Sequence, residues 1–180
     1  MENLFLLRAN KQQTKSIMTK GRTREEIMAM YNRHIETVYR VCFSLMGNKS
    51  DAEDVTQAVF LELMKNNIQF LDTEHEKAWL ITVARNQCRD THRQWWRKKV
   101  VALNQTVETI SIDTYEIDPV MDTLMQLPSK LRIVLYLHYY EGYKLSEIAG
   151  MLELNINTVK TQIRTAKQQL KFELGDDFND

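Results

Sequence analysis

The chain has 180 residues, 43 % of them apolar, and a formal net charge of zero. This length allows one large domain or two small ones, and no stretch approaches the roughly 20 apolar residues of a membrane-spanning helix. Two cysteines are too few for a disulfide scaffold. Five glycines, two prolines and nine methionines favour an all-α protein over a β-sandwich or a phosphate-loop enzyme. We therefore expect a cytosolic helical protein with no membrane insertion.

The charge is distributed unevenly along the chain. Residues 1–23 carry +4, residues 98–127 carry −3, residues 128–174 carry +3 and residues 175–180 carry −3. Residues 85–99 hold six basic side chains and one acid. Because local patches rather than totals govern electrostatic binding, the zero net charge does not exclude nucleic acid as a partner.

Three helices are predicted in the first hundred residues. Each follows a Thr or Ser that has Glu three residues later, which is the capping-box pattern. The pairs are Thr23 with Glu26, Ser50 with Glu53, and Thr73 with Glu76. Apolar side chains recur behind each pair at three-to-four spacing. Gly47 ends the first helix, and the third is expected to run to about Lys99.

A change of pattern separates this region from a second helical one. Residues 100–119 mix Val, Thr, Ile, Asp and Glu without helical period, and we interpret them as a flexible linker. A helix then begins at Pro128–Ser129 and ends at Gly142, and two shorter helices follow at about 145–152 and 156–172. The predicted domains are 24–99 and 120–174, flanked by a candidate disordered extension at 1–23 and an acidic tail at 175–180.

Residues 145–170 have the pattern of a helix-turn-helix. The inner positions are Ile148, Ala149, Leu152, Val159, Ile163, Ala166 and Leu170. Leu154 or Ile156 is expected to fill the turn. Asn155 or Asn157 is expected to cap the second helix. The outer face of that helix carries amide, hydroxyl and cationic groups, which can reach base edges and phosphates in a major groove. An ordinary helical hairpin with a solvated face is the alternative.

A basic stripe lies on the third predicted helix, at Arg85, Arg89, Arg93 and Arg97. Amide and aromatic side chains are interleaved with these arginines. Basic groups follow phosphates, whereas amides and rings suit unpaired bases. The alternative is a solvated face that pairs with acids elsewhere. Phe70 and Trp79 are candidates for the walls of a pocket for a flipped base, with core packing as the alternative for both.

The second predicted helix carries an acidic face. Asp51, Asp54 and Gln57 fall near one side, beside Phe60 and Leu61. An acidic face with apolar neighbours suits a basic protein partner. Acids near a helix N-terminus also favour the helix dipole, and the pattern leaves the two interpretations even.

Three sequence blocks together resemble a bacterial RNA polymerase sigma factor. They are DAEDVTQAVFLELM, KAWLITVARNQCRDTHR and LPSKLRIVLYLHYYEGYKLSEIAGMLELNINTVKTQIRTAKQQL. The resemblance is to the extracytoplasmic-function (ECF) group of the sigma-70 family. It covers about residues 24–99 as sigma domain 2 and 120–173 as sigma domain 4. It implies an all-α fold, in which a helical bundle and a helix-turn-helix domain are joined by a flexible linker.

The resemblance also implies roles for matching positions. In the first block, Asp54, Gln57 and Phe60 match the surface that docks on the clamp coiled coil of core RNA polymerase. In the second block and the loop before it, the positions implied in melting and reading the −10 promoter element are Phe70, Arg85, Asn86, Arg89 and Arg93. In the third block, the positions implied in reading the −35 duplex are Asn157, Thr158, Lys160, Thr161, Arg164 and Thr165.

The implied partners are core RNA polymerase, at its clamp and flap, promoter DNA and an anti-sigma factor. Neither enzymatic activity, nor a cofactor, nor a metal is expected. The chain departs from the family pattern at Glu153, where Gly is usual in the turn, and at Gln162 and Thr165, where Arg is frequent. Lys144 also replaces a usual Ser or Thr cap. Two alternatives are a stand-alone helix-turn-helix regulator and a polymerase-binding decoy without initiation activity.

Overall fold

The computed structural model describes residues 22–101 and 119–174, and every regular element in these segments is helical. The N-terminal unit consists of α1 (Arg24–Met46), α2 (Lys49–Lys65) and α3 (Thr73–Val101). The C-terminal unit consists of α4 (Pro119–Met125), α5 (Ser129–Leu135), α6 (Leu145–Met151) and α7 (Ile156–Leu174), and a π-helical turn at Tyr136–Tyr140 continues α5. The all-α prediction is confirmed. Most of the predicted extension and linker, and the whole acidic tail, lie outside the described residues.

The N-terminal unit is a three-helix bundle in which α1, α2 and α3 pack against one another. Its fully buried side chains include Val38, Val41, Cys42, Ala52, Val59, Leu63, Leu80, Ile81 and Ala84. Burying a Val, Leu or Ile side chain contributes roughly 1.5–3 kcal/mol, so this core accounts for the long helices despite their polar outer faces. In the described segments, no helix combines the length and apolar character needed to cross a membrane.

One of the three predicted capping boxes is present. The Thr23 backbone N–H donates to Glu26 Oε2 at 2.8 Å, and the Glu26 backbone N–H donates to Thr23 Oγ1 at 3.2 Å. The box predicted at Ser50 is wrong, because Asn48 caps α2 by accepting from the Asp51 backbone N–H at 2.9 Å. Asn is as good a cap as Ser, and its position two residues earlier lets α2 gain a further half-turn.

The box predicted at Thr73 is also wrong. Thr73 is already helical, and the preceding Asp72 accepts from the His75 backbone N–H at 2.7 Å. Glu76 is only 4 % exposed, and its Oε1 lies 2.8 Å from His34 Nε2 and 3.4 Å from Arg33 Nε. Burial lowers the pKa of His34, and the Glu76 charge partly offsets this. The predicted capping acid is thus a buried link between α1 and α3.

The C-terminal unit contains the predicted helix-turn-helix in α6 and α7. The inner positions Ile148, Ala149, Leu152, Val159, Ile163 and Ala166 are buried, and Leu170 is half-buried. Leu154 packs against the core, whereas Ile156 is 38 % exposed, so Leu154 fills the turn. Asn155 provides the cap, because its Oδ1 accepts from the Asn157 backbone N–H at 2.8 Å.

Helix α4 is not predicted by the sequence pattern, which places Pro119 at the end of the linker. Proline suits the first position of a helix, where its missing N–H has no partner to lose. The end of α4 is bound by Arg132, which is 6 % exposed and donates to the carbonyls of Leu124, Met125 and Leu127. Arg132 also donates to Ser44 O of the N-terminal unit at 3.0 Å. Helices α1 and α5, and α3 and α6, are in contact, and one buried cluster includes residues of both units.

Candidate nucleic-acid interface

The outer face of α7 is presented to solvent as predicted. We call its six positions the recognition face: Asn157, Thr158, Lys160, Thr161, Arg164 and Thr165. The first five are exposed and the last is half-buried. Burial of Val159, Ile163 and Ala166 on the opposite side fixes this orientation.

The recognition face carries two exposed cations, Lys160 and Arg164. Among the described side chains, neither Lys160 nor Arg164 lies in an ion pair. Lys167, on the same helix, instead lies 5.0 Å from the centroid of the Tyr139 ring. The recognition face can therefore offer positive charge and hydrogen-bond donors to an anionic groove without first breaking an internal contact.

The turn before α7 keeps its helix-turn-helix geometry although it lacks the usual glycine. The Leu154 N–H donates to Ala149 O at 2.8 Å, and the Glu153 N–H donates to Gly150 O at 3.2 Å. These two bonds form a Schellman motif, in which the residue at the Glu153 position is usually Gly. Glu153 has φ +52°, a left-handed conformation that costs a non-glycine residue about 1 kcal/mol.

The basic stripe is occupied by the other unit. Arg85 Nη1 lies 2.9 Å from Glu153 Oε2, and Arg89 Nη1 lies 3.3 Å from the same oxygen. The hydrogen bond and charge of Arg85 hold the pKa of Glu153 below its usual range. Arg93 pairs with Asp90 at 3.3 Å. Three arginines of the stripe are therefore paired with acids in this structure, and Arg97 lies beyond the described side chains.

Asn86 takes part in the same cluster. Its Oδ1 accepts from Arg85 Nη1 at 2.9 Å, so one guanidinium bridges an amide of α3 and a carboxylate of the C-terminal unit. Arg85 is largely covered, with 15 % of its side chain exposed, whereas Arg89 is 54 % exposed. The structure thus places the amide and two of the arginines predicted for −10 recognition side by side.

Phe70 lies in a different environment. Its ring centroid is 5.6 Å from that of Trp79, and the Arg22 guanidinium lies 5.0 Å from the Phe70 centroid. Phe70, Arg22 and Glu76 help to line a cavity of about 500 Å³, whereas Asn86 is not among its lining residues. The helical rise puts Asn86 about 15 Å along α3 from Glu76. The structure therefore brings Phe70 and Trp79 together and leaves Asn86 apart from them.

Arg22 is a residue that the sequence reasoning missed. It falls within the predicted extension, yet it donates to the carbonyls of Asn66 at 2.6 Å and Leu63 at 3.2 Å, and to that of Ile68. These contacts hold the end of α2 and the loop that carries Phe70. No local pattern signals them, because the partners lie more than 40 residues away in sequence.

The acidic helix presents a mixed polar and apolar face. Asp54 and Gln57 are exposed, and they are continued along α2 by Leu61 at 53 % and Met64 at 58 % exposure. We call these four residues the docking face. Phe60, by contrast, is 6 % exposed, with its ring centroid 4.8 Å from that of Tyr31. Phe60 supports the docking face from within the bundle and does not form its surface.

No metal centre is evident in residues 22–101 and 119–174, where no three His, Cys, Asp or Glu side chains lie close enough to hold an ion. Cys42 and Cys88 are free and buried. Hydrogen bonding with Cys42 and burial both raise the pKa of the Cys88 thiol. These contacts make Cys88 part of the core.

Two family models match the two units. Sigma-70 region 2 matches residues 30–98, and Sigma-70, region 4 matches residues 117–170. The ECF RNA polymerase sigma factor SigL of Mycobacterium tuberculosis is 30 % identical over 154 residues, which cover 81 % of this chain and 87 % of that protein. The chain belongs to the ECF group of the sigma-70 family. RNA polymerase sigma factor SigV of Bacillus subtilis is 26 % identical over 159 residues, which cover 86 % of this chain and 95 % of SigV.

Solved structures of sigma factors share the fold. The sigma factor RpoE from Bartonella quintana, in complex with the anti-sigma factor NepR, aligns with a TM-score of 0.66 at 20 % identity, covering 85 % of this chain and 99 % of that chain. CnrH in complex with the cytosolic domain of CnrY aligns with a TM-score of 0.57 at 21 % identity, covering 98 % of both chains. Region 2 contains the docking face and the basic stripe, and region 4 contains the recognition face. A stand-alone helix-turn-helix regulator is therefore not favoured.

Proposed function

We propose that this sigma factor acts in the cytoplasm, binds core RNA polymerase through the docking face, and directs it to promoters whose two elements are read by α3 and α7. Membership in the sigma-70 family supports the general activity, promoter-specific initiation of transcription. The observation that carries the assignment of residues is the recognition face, an exposed, capped helix after a helix-turn-helix turn, with two cations that lie in no ion pair of the described segments.

The recognition face fits duplex DNA. Arg164 and Lys160 supply the donors that bind guanine O6 and N7 or a backbone phosphate, and Asn157 supplies the amide that matches adenine. The Thr161 hydroxyl donates to Asn157 O at 2.9 Å, so its methyl group is the part offered outward, a partner for a thymine methyl. We assign the −35 element to this face.

The basic stripe fits a single strand. Arg85, Arg89 and Arg93 would follow successive phosphates, and Asn86 would read the edge of an unpaired base between them. Each base stacked on an aromatic ring contributes roughly 1–3 kcal/mol, and Trp79 of this helix, paired with Phe70, offers such a ring. We assign the −10 element to this region, and it becomes available when Glu153 leaves the stripe.

The docking face fits the clamp of the polymerase. Leu61 and Met64 provide apolar contact area, and Asp54 and Gln57 provide polar contacts that select a basic partner surface. One structural neighbour, RpoE, is bound to the anti-sigma factor NepR, and the other, CnrH, is bound to the cytosolic domain of CnrY. We extend this to the present chain and expect an anti-sigma factor to bind it.

Run-off transcription tests this function. Core RNA polymerase is incubated with and without the protein on a library of genomic promoter fragments, and transcript starts are read by sequencing. New start sites that share two upstream elements are expected. Binding to core polymerase without new starts would instead identify a decoy, and no binding to core would contradict the proposal.

Matched variants connect the result to the docking face. Asp54→Asn removes an exposed charge from that face, whereas Glu62→Gln removes a charge from another side of α2 and keeps the acceptor for the Asn66 side chain. Asp54→Asn is expected to weaken core binding severalfold, and Glu62→Gln is expected to leave it unchanged. Equal affinities of the two variants would remove the docking face from the proposal.

A further inference from the structure

The contact between Glu153 and the basic stripe joins the two DNA-reading regions of the molecule. Glu153 lies in the turn that positions the recognition helix, and Arg85 and Arg89 lie on the helix assigned to the −10 strand. We propose that Glu153 is an intramolecular mimic of a DNA phosphate that holds the basic stripe in an autoinhibited state. This inference rests on the proposed function, because it assumes that the arginines bind DNA.

The local geometry supports a role beyond that of an incidental surface pair. One carboxylate oxygen of Glu153 contacts two guanidinium groups, at 2.9 and 3.3 Å. Charge-assisted N–H···O⁻ contacts of this kind are the ones that arginines make with phosphate oxygens. A DNA strand that uses Arg85 and Arg89 must therefore displace Glu153 from them.

The backbone of the turn points the same way. Glu153 adopts φ +52°, a conformation that glycine adopts without strain. The turn itself needs no side chain at this position, since its two Schellman hydrogen bonds come from backbone groups. The strained glutamate gives the C-terminal unit one thing that glycine lacks, a carboxylate that reaches the basic stripe.

Other polar contacts keep the two units in this arrangement. Lys77 Nζ lies 3.4 Å from Glu141 Oε2, Arg40 is hydrogen-bonded to the Tyr140 hydroxyl, and Arg132 donates to Ser44 O. In the first of these, as in the Glu153 contact, a cation of the N-terminal unit faces an acid of the C-terminal unit. These contacts hold the two units in the arrangement in which Glu153 reaches Arg85 and Arg89.

The consequence is a lower apparent affinity for single-stranded DNA. If only a fraction of molecules has a free stripe, the apparent affinity for a single strand falls by that fraction. Core polymerase or promoter DNA that binds the two units separately would free the stripe and restore its full affinity for DNA. Free sigma factor would accordingly bind single-stranded DNA less tightly than its arginines allow.

The first test measures DNA affinity in the full chain. Glu153→Gln removes the charge at nearly constant size, Glu153→Gly removes the side chain, and Asp122→Asn removes an exposed acid of the C-terminal unit that lies in no ion pair of the described segments. The probe is a fluorescein-labelled 12-nucleotide random single strand, followed by anisotropy. Both Glu153 variants are expected to bind about two- to fivefold more tightly than the parent, the range set by exposed ion pairs, and Asp122→Asn is expected to match the parent.

We call the contact of Glu153 with Arg85 and Arg89 the latch. A double-mutant cycle separates the effect of the latch from that of a general loss of negative charge. Glu153→Gln is combined with Arg89→Ala, and the gain in affinity should shrink because Arg89→Ala already removes one of the two contacts of Glu153. A second readout is the distance between dyes on the exposed positions of Lys65→Cys and Gln169→Cys. The Glu153 variants should populate longer distances between the two units.

Three outcomes would overturn the inference, and they differ. If Arg93→Ala weakens single-strand binding but both Glu153 variants bind and open like the parent, the basic stripe reads DNA and the latch does not exist. If neither Arg89→Ala nor Arg93→Ala changes single-strand binding, the −10 assignment fails, and the phosphate-mimic role fails with it. A gain shared equally by Asp122→Asn would reduce the effect to overall charge and would also overturn the latch.

Discussion

The recognition face and the basic stripe have similar side-chain chemistry but different availability. Lys160 and Arg164 of the recognition face are exposed and lie in no ion pair of the described segments. Arg85 and Arg89 of the stripe share the Glu153 carboxylate. The difference arises from tertiary contact, because each pattern seen alone predicts an exposed cationic face. A basic helix is thus a candidate site whose readiness depends on what the rest of the chain places against it.

Arg132→Met should break this comparison most strongly. Arg132 is buried and donates to three carbonyls near the end of α4 and to Ser44 O of the N-terminal unit. Each carbonyl left without a partner in the interior costs about 1–3 kcal/mol, and we expect a loss of about 4 kcal/mol in the free energy of unfolding. Urea denaturation measures it. Arg132→Lys, which keeps the charge but reaches fewer carbonyls, should lose less, and equal losses would show that charge alone matters.

Glu76→Ala should destabilise the N-terminal unit that carries the stripe and leave the recognition face intact. Glu76 is a buried acid whose Oε1 lies 2.8 Å from His34 Nε2, and a buried polar group left without its partner costs about 1–3 kcal/mol. Single-strand binding should fall with the N-terminal unit, while duplex binding by α7 persists. Glu74→Ala provides the control, since Glu74 is 71 % exposed on the same helix. Equal unfolding midpoints for the two variants would contradict the prediction.

Arg164→Ala should sharpen the comparison from the other side. Loss of one base or phosphate contact costs about 1–3 kcal/mol, so affinity for duplex carrying the −35 element should fall at least fivefold while single-strand binding stays unchanged. Lys167→Ala is the matched loss of a cation on the same helix, and Lys167 lies over Tyr139. Competition binding with labelled duplex measures both variants. A footprint unaffected by Arg164→Ala would count against the assignment.

The two Glu153 variants should differ from each other in stability. Both lose the contact with the stripe, but only Glu153→Gly relieves the left-handed backbone at φ +52°. The Gly variant should therefore be about 1 kcal/mol more stable than the Gln variant. Thermal unfolding followed by circular dichroism provides the comparison. A Gln variant as stable as the Gly variant would show that the turn imposes no strain.

Acidification should have the smallest effect on the free energy of unfolding, because burial and the Glu76 charge shift the pKa of His34 in opposite directions. Burial lowers the pKa of His34, and Glu76 partly raises it again. With the folded pKa below the unfolded value of about 6.5, the neutral imidazole stabilises the fold above pH 6.5. That stability declines as the pH falls from 6.5 through the folded pKa. The decline should be smaller in His34→Gln, and an identical pH profile for this variant would refute it.

Local sequence signals predicted every described helix except α4, and they predicted which side of α7 is exposed. The inner positions of α6 and α7 follow helical spacing, which places their apolar side chains on one face of each helix, and that face is the one that becomes buried. Cap positions were less certain, because Asn48 and Asp72 compete with Ser50 and Thr73 for nearly the same role. Such competition is decided by a fraction of the free energy of one hydrogen bond.

Contacts between distant segments could not be predicted. Nothing around Glu153 indicates that it meets Arg85, since 68 positions separate them. The burial of Glu76 and the packing of Arg22 under the Phe70 loop have the same origin. Phe60 matched a family position, yet only the packing of the bundle revealed that Phe60 is buried and that Met64 joins Leu61 at the surface.

The residue in the turn at Glu153 can change to glycine by a single nucleotide substitution. Glutamate codons GAA and GAG differ from the glycine codons GGA and GGG by a single A-to-G transition. One such mutation would give the turn the residue its φ of +52° favours and would delete the carboxylate that contacts Arg85 and Arg89. Under the proposed autoinhibition, one such mutation would raise the resting level of promoter engagement without altering any residue assigned to polymerase or DNA.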